Sequence, residues 1–538
     1  MFGGDPRFNA FFNPMYPAPS VLEAYSESPE GTRPAIPCEY AHAMGNSSGS
    51  LCDYWDLFWS RPKLQGGFIW DWIDQGLVRG RHKHLGYGGD FGETSHDFDF
   101  CCNGMLDARQ NPHPAMYEFQ HLAQPVKVTA EDLSAYKVRI RNRRDFTALQ
   151  DLEGKWTLEI NGAAVQSGRL TGFARLAPGA ETVVKLPLKT VALNAGEEAF
   201  LNVDFFWNCE QPWGATPGMR IAFDQIAMTD VFPKLKSVAK KKKPVEYEIQ
   251  EHKKELRLIV GKTVLRINRK DGSGSVEANG KTVVRELFDC NLFRASTDND
   301  GIRGWNGQEN KPMGQWLAAG LDTLKPVSCR VSVENGKRGE FIRIAREFAG
   351  KPSYGTIGFV QTISVNADGS LKFDQSYRIP EKMPSLPRIG VVAVLASGFE
   401  NFEWFGRGPW ENYIDRNRSA RVGAYASTVT ANCDFNYILP QENGNRTDTR
   451  ELAVSASGCE VRITAAKPFE FGLSHYTAAD LFGAYHKEEL KMRKETILTL
   501  DLIQRGLGTG SCGPQTLPQY EVSEKEYEFS FDLDIVKQ

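Results

Sequence analysis

Residues 34–72 read PAIPCEYAHAMGNSSGSLCDYWDLFWSRPKLQGGFIWDW. The apolar run Pro34–Tyr40 predicts a buried strand. Leu51, Tyr54, Trp55 and Phe58 recur three to four residues apart, which predicts a helix over 49–60. Lys63–Trp70 predicts a second strand. Strand, helix, strand is the unit of a parallel sheet, and the single carboxylate Glu39 falls at the end of its first strand. In an α/β barrel that end carries the active face. Tyr40, His42 and Asn46 are placed to hold Glu39 by hydrogen bonds. The plainer reading makes it a salt-bridge or capping residue. The second strand ends in Trp70-Asp71-Trp72-Ile73-Asp74-Gln75. Indole faces beside carboxylates and amides suit a sugar, although core packing explains at least one tryptophan equally well.

The bulk composition narrows the classes. The chain has 538 residues, 41% hydrophobic and 24% charged, which is ordinary globular material. A net charge of −3 argues against a general nucleic-acid binder, which carries a basic excess. No apolar run reaches the roughly 20 residues of a membrane span. The opening MFGGDPRFNAFF has no signal-peptide pattern, so a cytoplasmic location is expected. Ten scattered cysteines without a CxxC predict reduced thiols that serve packing.

Beyond residue 124 the texture changes. Trp156, Leu158 and Ile160 alternate before Asn161-Gly162, a hairpin signal. Val183-Val184, Leu201–Phe206 and Ile221–Phe223 read as further strands of a sandwich. Six lysines fall within 234–243. With no interleaved aromatic residue they read as a solvated linker rather than an anion patch. From about 247 onward strands dominate, with Leu256, Leu258 and Val260 alternating and Asn279-Gly280 marking another hairpin.

The loop GYGGDFGETSHDFDFCCNG (86–104) is glycine-rich and acidic, with Asp90, Glu93, Asp97 and Asp99. It contains no dinucleotide fingerprint. Its carboxylates and carbonyls could bind a hard cation, or it is a plain surface loop. The histidines do not cluster as metal ligands, and no nucleophile elbow or Ser-His-Asp pattern stands out.

Taken together, CEYAHAMGNSSG, LQGGFIWDWIDQGL, YGGDFGE, FCCNGML, PHPAMYE, RASTDNDGIRG, WFGRGPWENYIDRNRSARVG, PQENGNRTDTREL and SHYT closely resemble the β-galactosidases of glycoside hydrolase family 2. These motifs run in the family's order from near residue 13 to near residue 514. The resemblance implies a multidomain chain in three parts. Residues 1–124 would be the last strands of a (β/α)8 TIM barrel. Residues 125–232 would be an immunoglobulin-like β-sandwich, and a Lys-rich linker (233–246) would lead to a large C-terminal β-sandwich (247–538). It implies hydrolysis of terminal β-D-galactose residues with retention, through a covalent glycosyl-enzyme on Glu39. Tyr16 and His42 would line the site and Trp70 would form the sugar floor, with Asp97 near a matching acidic position. The Phe100 carbonyl and Asn103 would hold a sodium ion that helps seat the sugar. Homo-oligomerisation of the complete enzyme is also implied.

Two departures matter. The family's acid/base glutamate lies in an Asn-Glu dipeptide on an earlier barrel strand, and that dipeptide occurs nowhere in this sequence. The magnesium ligands also belong upstream. The chain is therefore expected to begin just before the seventh barrel strand, to need the missing N-terminal half, and to be inactive alone. Asp71, Asp74 and Glu93 are the nearest substitutes for the acid. The second departure is Cys512, which stands where well-known members carry a loop tryptophan. An alternative of another class is a non-catalytic carbohydrate-binding or oligomerisation fragment of two β-sandwiches.

Overall fold

A computed structural model describes residues 9–81, 83–235, 245–336, 339–433 and 435–536. Residues 236–244 of the expected Lys-rich linker (233–246) lie outside them. The described residues are mostly strand with few helices, and they fall into two compact units. One draws on Met1–Glu118, Lys242–Asn417 and Ala426–Gln538, the other on Phe119–Lys241 and Arg418–Tyr425.

The first unit opens with parallel pairing. Ala41 pairs with Ile69 and His42 with Trp70, both in parallel. Single parallel bridges extend the ladder: Met15 to Glu39, Phe12 to Ala35, Ala35 to Leu64 and Ile73 to Leu106. The helix Leu51–Ser60 crosses between the paired strands and buries Leu51, Cys52 and Tyr54. Tyr54 and Phe58 pack on Tyr40, with ring centroids 5.1 and 5.5 Å away.

Two sequence expectations need correction. The regular pairing is confined to Ala41–His42, just past the expected 34–40, and Ile69–Trp70; within 34–40 only isolated bridges at Ala35 and Glu39 form, since Pro34 and Pro37 lack the N–H that a ladder requires. A further parallel segment, Phe12–Met15, precedes Pro34, so the parallel set starts one segment earlier than expected. Its own Pro14 masks it in the sequence.

The larger part of this unit is a sheet with 16 strands among the described residues, whose hydrogen-bonded order runs from Tyr247–Glu251 to Lys325–Gly336. Neighbouring strands pair antiparallel, as Tyr247–Glu251 does with Glu255–Val260 and Leu371–Arg378 with Glu526–Val536. Leu256, Leu258 and Val260 alternate inward as expected. Asn279 and Gly280 take φ of 52° and 75°, the left-handed pair a tight hairpin needs.

Loops from this sheet reach the segment after Glu39. Arg294 is buried and forks onto Asp300 (Nη2 to Oδ1 2.7 Å), while its Nη1 donates to the Arg505 carbonyl at 2.6 Å. The buried Asp415 carboxylate accepts from the backbone N–H groups of Leu507 (3.0 Å) and Gly508 (2.8 Å). Gly49 N–H in turn donates to the Gly508 carbonyl at 3.1 Å. A buried carboxylate that receives backbone donors fixes those loops firmly.

The second unit places a four-stranded sheet, ordered Arg220–Ala227, Ala199–Trp207, Leu152–Ile160 and Ala163–Leu170, with a three-stranded sheet. The three-stranded sheet is ordered Val126–Asp132, Lys137–Asn142 and Glu181–Lys185. Trp156, Leu158, Val203 and Phe205 from the first share one core with Val126, Val128, Val138 and Ile140 from the second. Asn161-Gly162 makes the expected hairpin, with φ of 48° and 79°.

Candidate active site

Glu39 sits at the end of its parallel segment, half-buried. Its carbonyl accepts from Tyr16 N–H at 2.7 Å, which locks the two segments in register. The same register sets the Tyr16 phenol near the Glu39 carboxylate and the Cys512 thiol. Burial, followed by the bond to Glu39, pushes the phenol well above its ordinary pKa. Tyr16 therefore keeps its proton around neutral pH.

His42 is buried, and its Nδ1 lies 2.7 Å from Ser511 Oγ. Burial lowers its pKa to about 4, so the ring is neutral around pH 7. It stacks on Phe100 at 5.4 Å and meets Tyr16 edge-on at 6.1 Å. Next to His42 in the ladder, Trp70 leaves 44% of its surface exposed. An apolar ring this open, beside polar groups, offers a sugar a stacking face.

Phe100 and Asn103 close a turn, with Asn103 Nδ2 donating to the Phe100 carbonyl at 2.8 Å. Asn103 Oδ1 is buried and has no partner. An orphaned amide oxygen next to a backbone carbonyl is the donor set a hard monovalent cation takes, so these residues fit a sodium ion. Among the described residues no group of three or more His, Cys, Asp or Glu is arranged to hold a metal. Asp97 is exposed, and its carbonyl accepts from Trp305 Nε1 at 3.3 Å.

Not every expected partner of Glu39 serves it. The Tyr40 hydroxyl accepts from Trp55 Nε1 at 3.1 Å, on the helix side. Asn46 is fully buried: it donates to the Tyr413 hydroxyl and the Glu442 carbonyl, and it accepts from Arg416. Its role is to join the segment to the large sheet. The candidate acids fare no better. Glu93 caps its own turn, accepting from Gly89 N–H at 2.6 Å, and its own and Gly89's N–H groups hold its pKa low. Asp74 is pushed up to about 8 by burial, yet it is buried against Gly104 and His113. Asp71 is also raised by burial, and Gln75 donates to it at 2.6 Å.

Sequence reading missed Asn299 and Ser511. Asn299 Nδ2 donates to the carbonyls of Met44 (3.2 Å) and Asn46 (3.1 Å). Its Oδ1 receives Ser511 Oγ at 3.0 Å, and Ser47 Oγ stands 3.1 Å away. RASTDNDGIRG was visible as a motif, but only the fold shows that it buttresses the loop after Glu39. Lys311 Nζ donates to the Gly510 carbonyl at 2.7 Å and holds the same loop from behind.

A parallel ladder ending in a carboxylate, with a tyrosine and an open indole near it, makes up the candidate site. Family comparisons give its class. Residues 7–128 match the glycosyl hydrolases family 2 TIM barrel domain, 138–229 match β-galactosidase domain 4, and 260–533 match the β-galactosidase small chain. A β-galactosidase of Vibrio cholerae serotype O1 is 34% identical over 97% of this chain and 51% of its own length. One of Actinobacillus pleuropneumoniae is 30% identical over 97% of this chain and 50% of its own. The chain belongs to the glycoside hydrolase family 2 β-galactosidases and spans about half the length of the curated relatives it matches. No described helix is long and apolar enough to cross a membrane.

Proposed function

We propose that this chain supplies the nucleophile and most of the sugar-binding wall of a retaining β-galactosidase. The observation that carries this reading is Glu39 at the end of a parallel segment registered to Tyr16, with the open indole of Trp70 paired to His42 three residues on. Glu39 attacks the anomeric carbon and forms a glycosyl-enzyme, which water then hydrolyses. Tyr16 orients the carboxylate. Neutral His42, fixed by Ser511, lines the wall, and Trp70 stacks under the sugar. The Phe100 carbonyl and Asn103 Oδ1 would hold a sodium ion, which would supply a positive charge that helps seat the sugar.

A retaining enzyme needs a second carboxyl about 5–5.5 Å from the first. Glu93 is ionised, Asp74 is walled in, and Asp71 is tied to Gln75. By resemblance to the family, the acid and the magnesium ligands lie in a polypeptide portion upstream of this sequence. The domain boundaries follow the family: barrel strands to residue 124, an immunoglobulin-like sandwich over 125–232, and the large sandwich from 247. The substrate is a lactose-like β-galactoside, and the complete enzyme is a homo-oligomer of the cytoplasm.

The test is turnover of lactose by the purified chain, alone and combined with an upstream portion that carries an Asn-Glu acid. The reading predicts activity only in the combination, abolished by Glu39→Gln. Lactose turnover by the chain alone sinks it.

A further inference from the structure

The turn that carries Phe100 and Asn103 also carries two consecutive cysteines. In extended chain, successive side chains point to opposite faces. Here the 3-10 turn Phe98–Cys101 is followed by Cys102 at φ −109° and ψ 70°, and the two sulfurs converge to 3.8 Å. Cys101 is half-buried, so the pair is reachable from one side, while Cys102 packs against Tyr87 and Leu439. All ten cysteines are free, and this pair alone is adjacent in sequence.

We propose that Cys101 and Cys102 form a chelating dithiol site for a soft, thiophilic electrophile of the trivalent organoarsenical class. A separation of 3.8 Å is van der Waals contact. One soft centre bonds both sulfurs after small side-chain rotations, whereas a disulfide requires closure to about 2.05 Å. Tetrahedral zinc is a poorer match, since it takes four ligands and no third one joins the sulfurs among the described residues. The reaction balances without an oxidant. An arsine oxide gains two As–S bonds, the two thiol protons leave with its oxygen as water, and arsenic stays trivalent. The adduct would sit under the Asn103-to-Phe100 hydrogen bond and couple to the turn that faces the site.

The probe is phenylarsine oxide on the full 538-residue chain, read by intact mass after a wash with excess monothiol. The expected result is one adduct, less one water, that survives monothiol and is released by dithiothreitol. Cys101→Ser removes the second, intramolecular bond and is expected to weaken retention by about 100-fold or more. Cys102→Ser, a buried position, is the parallel test, and Cys209→Ser, at an exposed thiol in the other unit, should leave retention unchanged. An adduct that monothiol strips, or one that persists in Cys101→Ser, overturns the proposal.

Discussion

Replacing Asn299 with alanine should loosen the segment after Glu39 from the large sheet. Asn299 is buried and uses both ends of its amide. Nδ2 donates to the Met44 and Asn46 carbonyls. Oδ1 accepts from Ser511 Oγ (3.0 Å) and Ser511 N–H (3.3 Å), with Ser47 Oγ at 3.1 Å. Each neutral hydrogen bond nets about 0.5–1.5 kcal/mol, and the orphaned buried partners add to the loss. The sum for Asn299→Ala is about 3–5 kcal/mol. At a typical urea slope of about 1–3 kcal/mol per molar, the unfolding midpoint of this unit should fall by about 1 M or more. Asn299→Asp is the sharper variant. It keeps the acceptor for Ser511 but sets a buried charge against two carbonyls. Its folded pKa must be raised, so its stability should recover as pH falls and worsen as pH rises through that pKa. Tryptophan fluorescence during urea titration at two pH values reads both effects. A loss under about 1 kcal/mol in the alanine variant would refute the claim that Asn299 buttresses the site.

Other outcomes follow from the same geometry. Asp74 has a folded pKa of about 8, above its unfolded value, so its contribution is full below about pH 4 and lost as pH rises through 8. Asp74→Asn should therefore flatten part of the decline in stability between those limits, by up to about 1.4 kcal/mol per pH unit, as read by unfolding at successive pH values. Burial holds His42 neutral, so its NMR signals should show no protonation above pH 5; a midpoint near 6.5 would contradict this. Trp70 is 44% exposed, so Trp70→Ala should cost little stability, about 1 kcal/mol or less. It should nevertheless weaken galactose binding, by about tenfold if a cost near 1.4 kcal/mol attaches to the lost stacking. Calorimetric titration of the complete enzyme with a galactose analogue checks this.

How much of this was legible beforehand differs by residue. The helix Leu51–Ser60 and the hairpins at Asn161-Gly162 and Asn279-Gly280 follow from local rules, periodicity and left-handed φ, and they stand in the structure. The parallel pair at His42 and Trp70 was also readable from strand-helix-strand order. The segment Phe12–Met15 was not, because single bridges separated by a proline leave no periodic trace. The partners of Tyr40 and Asn46 were misjudged because nearness in sequence says nothing about which face a side chain takes after a turn. Asn299 and Ser511 lie more than 250 residues from Glu39 in sequence, and only tertiary folding connects them to its loop.

The central claim is that Glu39 is the nucleophile and that its acid partner lies outside this sequence. The most direct test uses a 2-deoxy-2-fluoro-β-galactoside with a dinitrophenolate leaving group, which departs without acid assistance. The β-galactosidase species that contains this chain is isolated from its source, labelled, digested and mapped by mass. The account predicts a single galactosyl label on the peptide containing Glu39. Turnover of substrate with the label on Asp71, Asp74 or any other carboxylate, and none on Glu39, would contradict it.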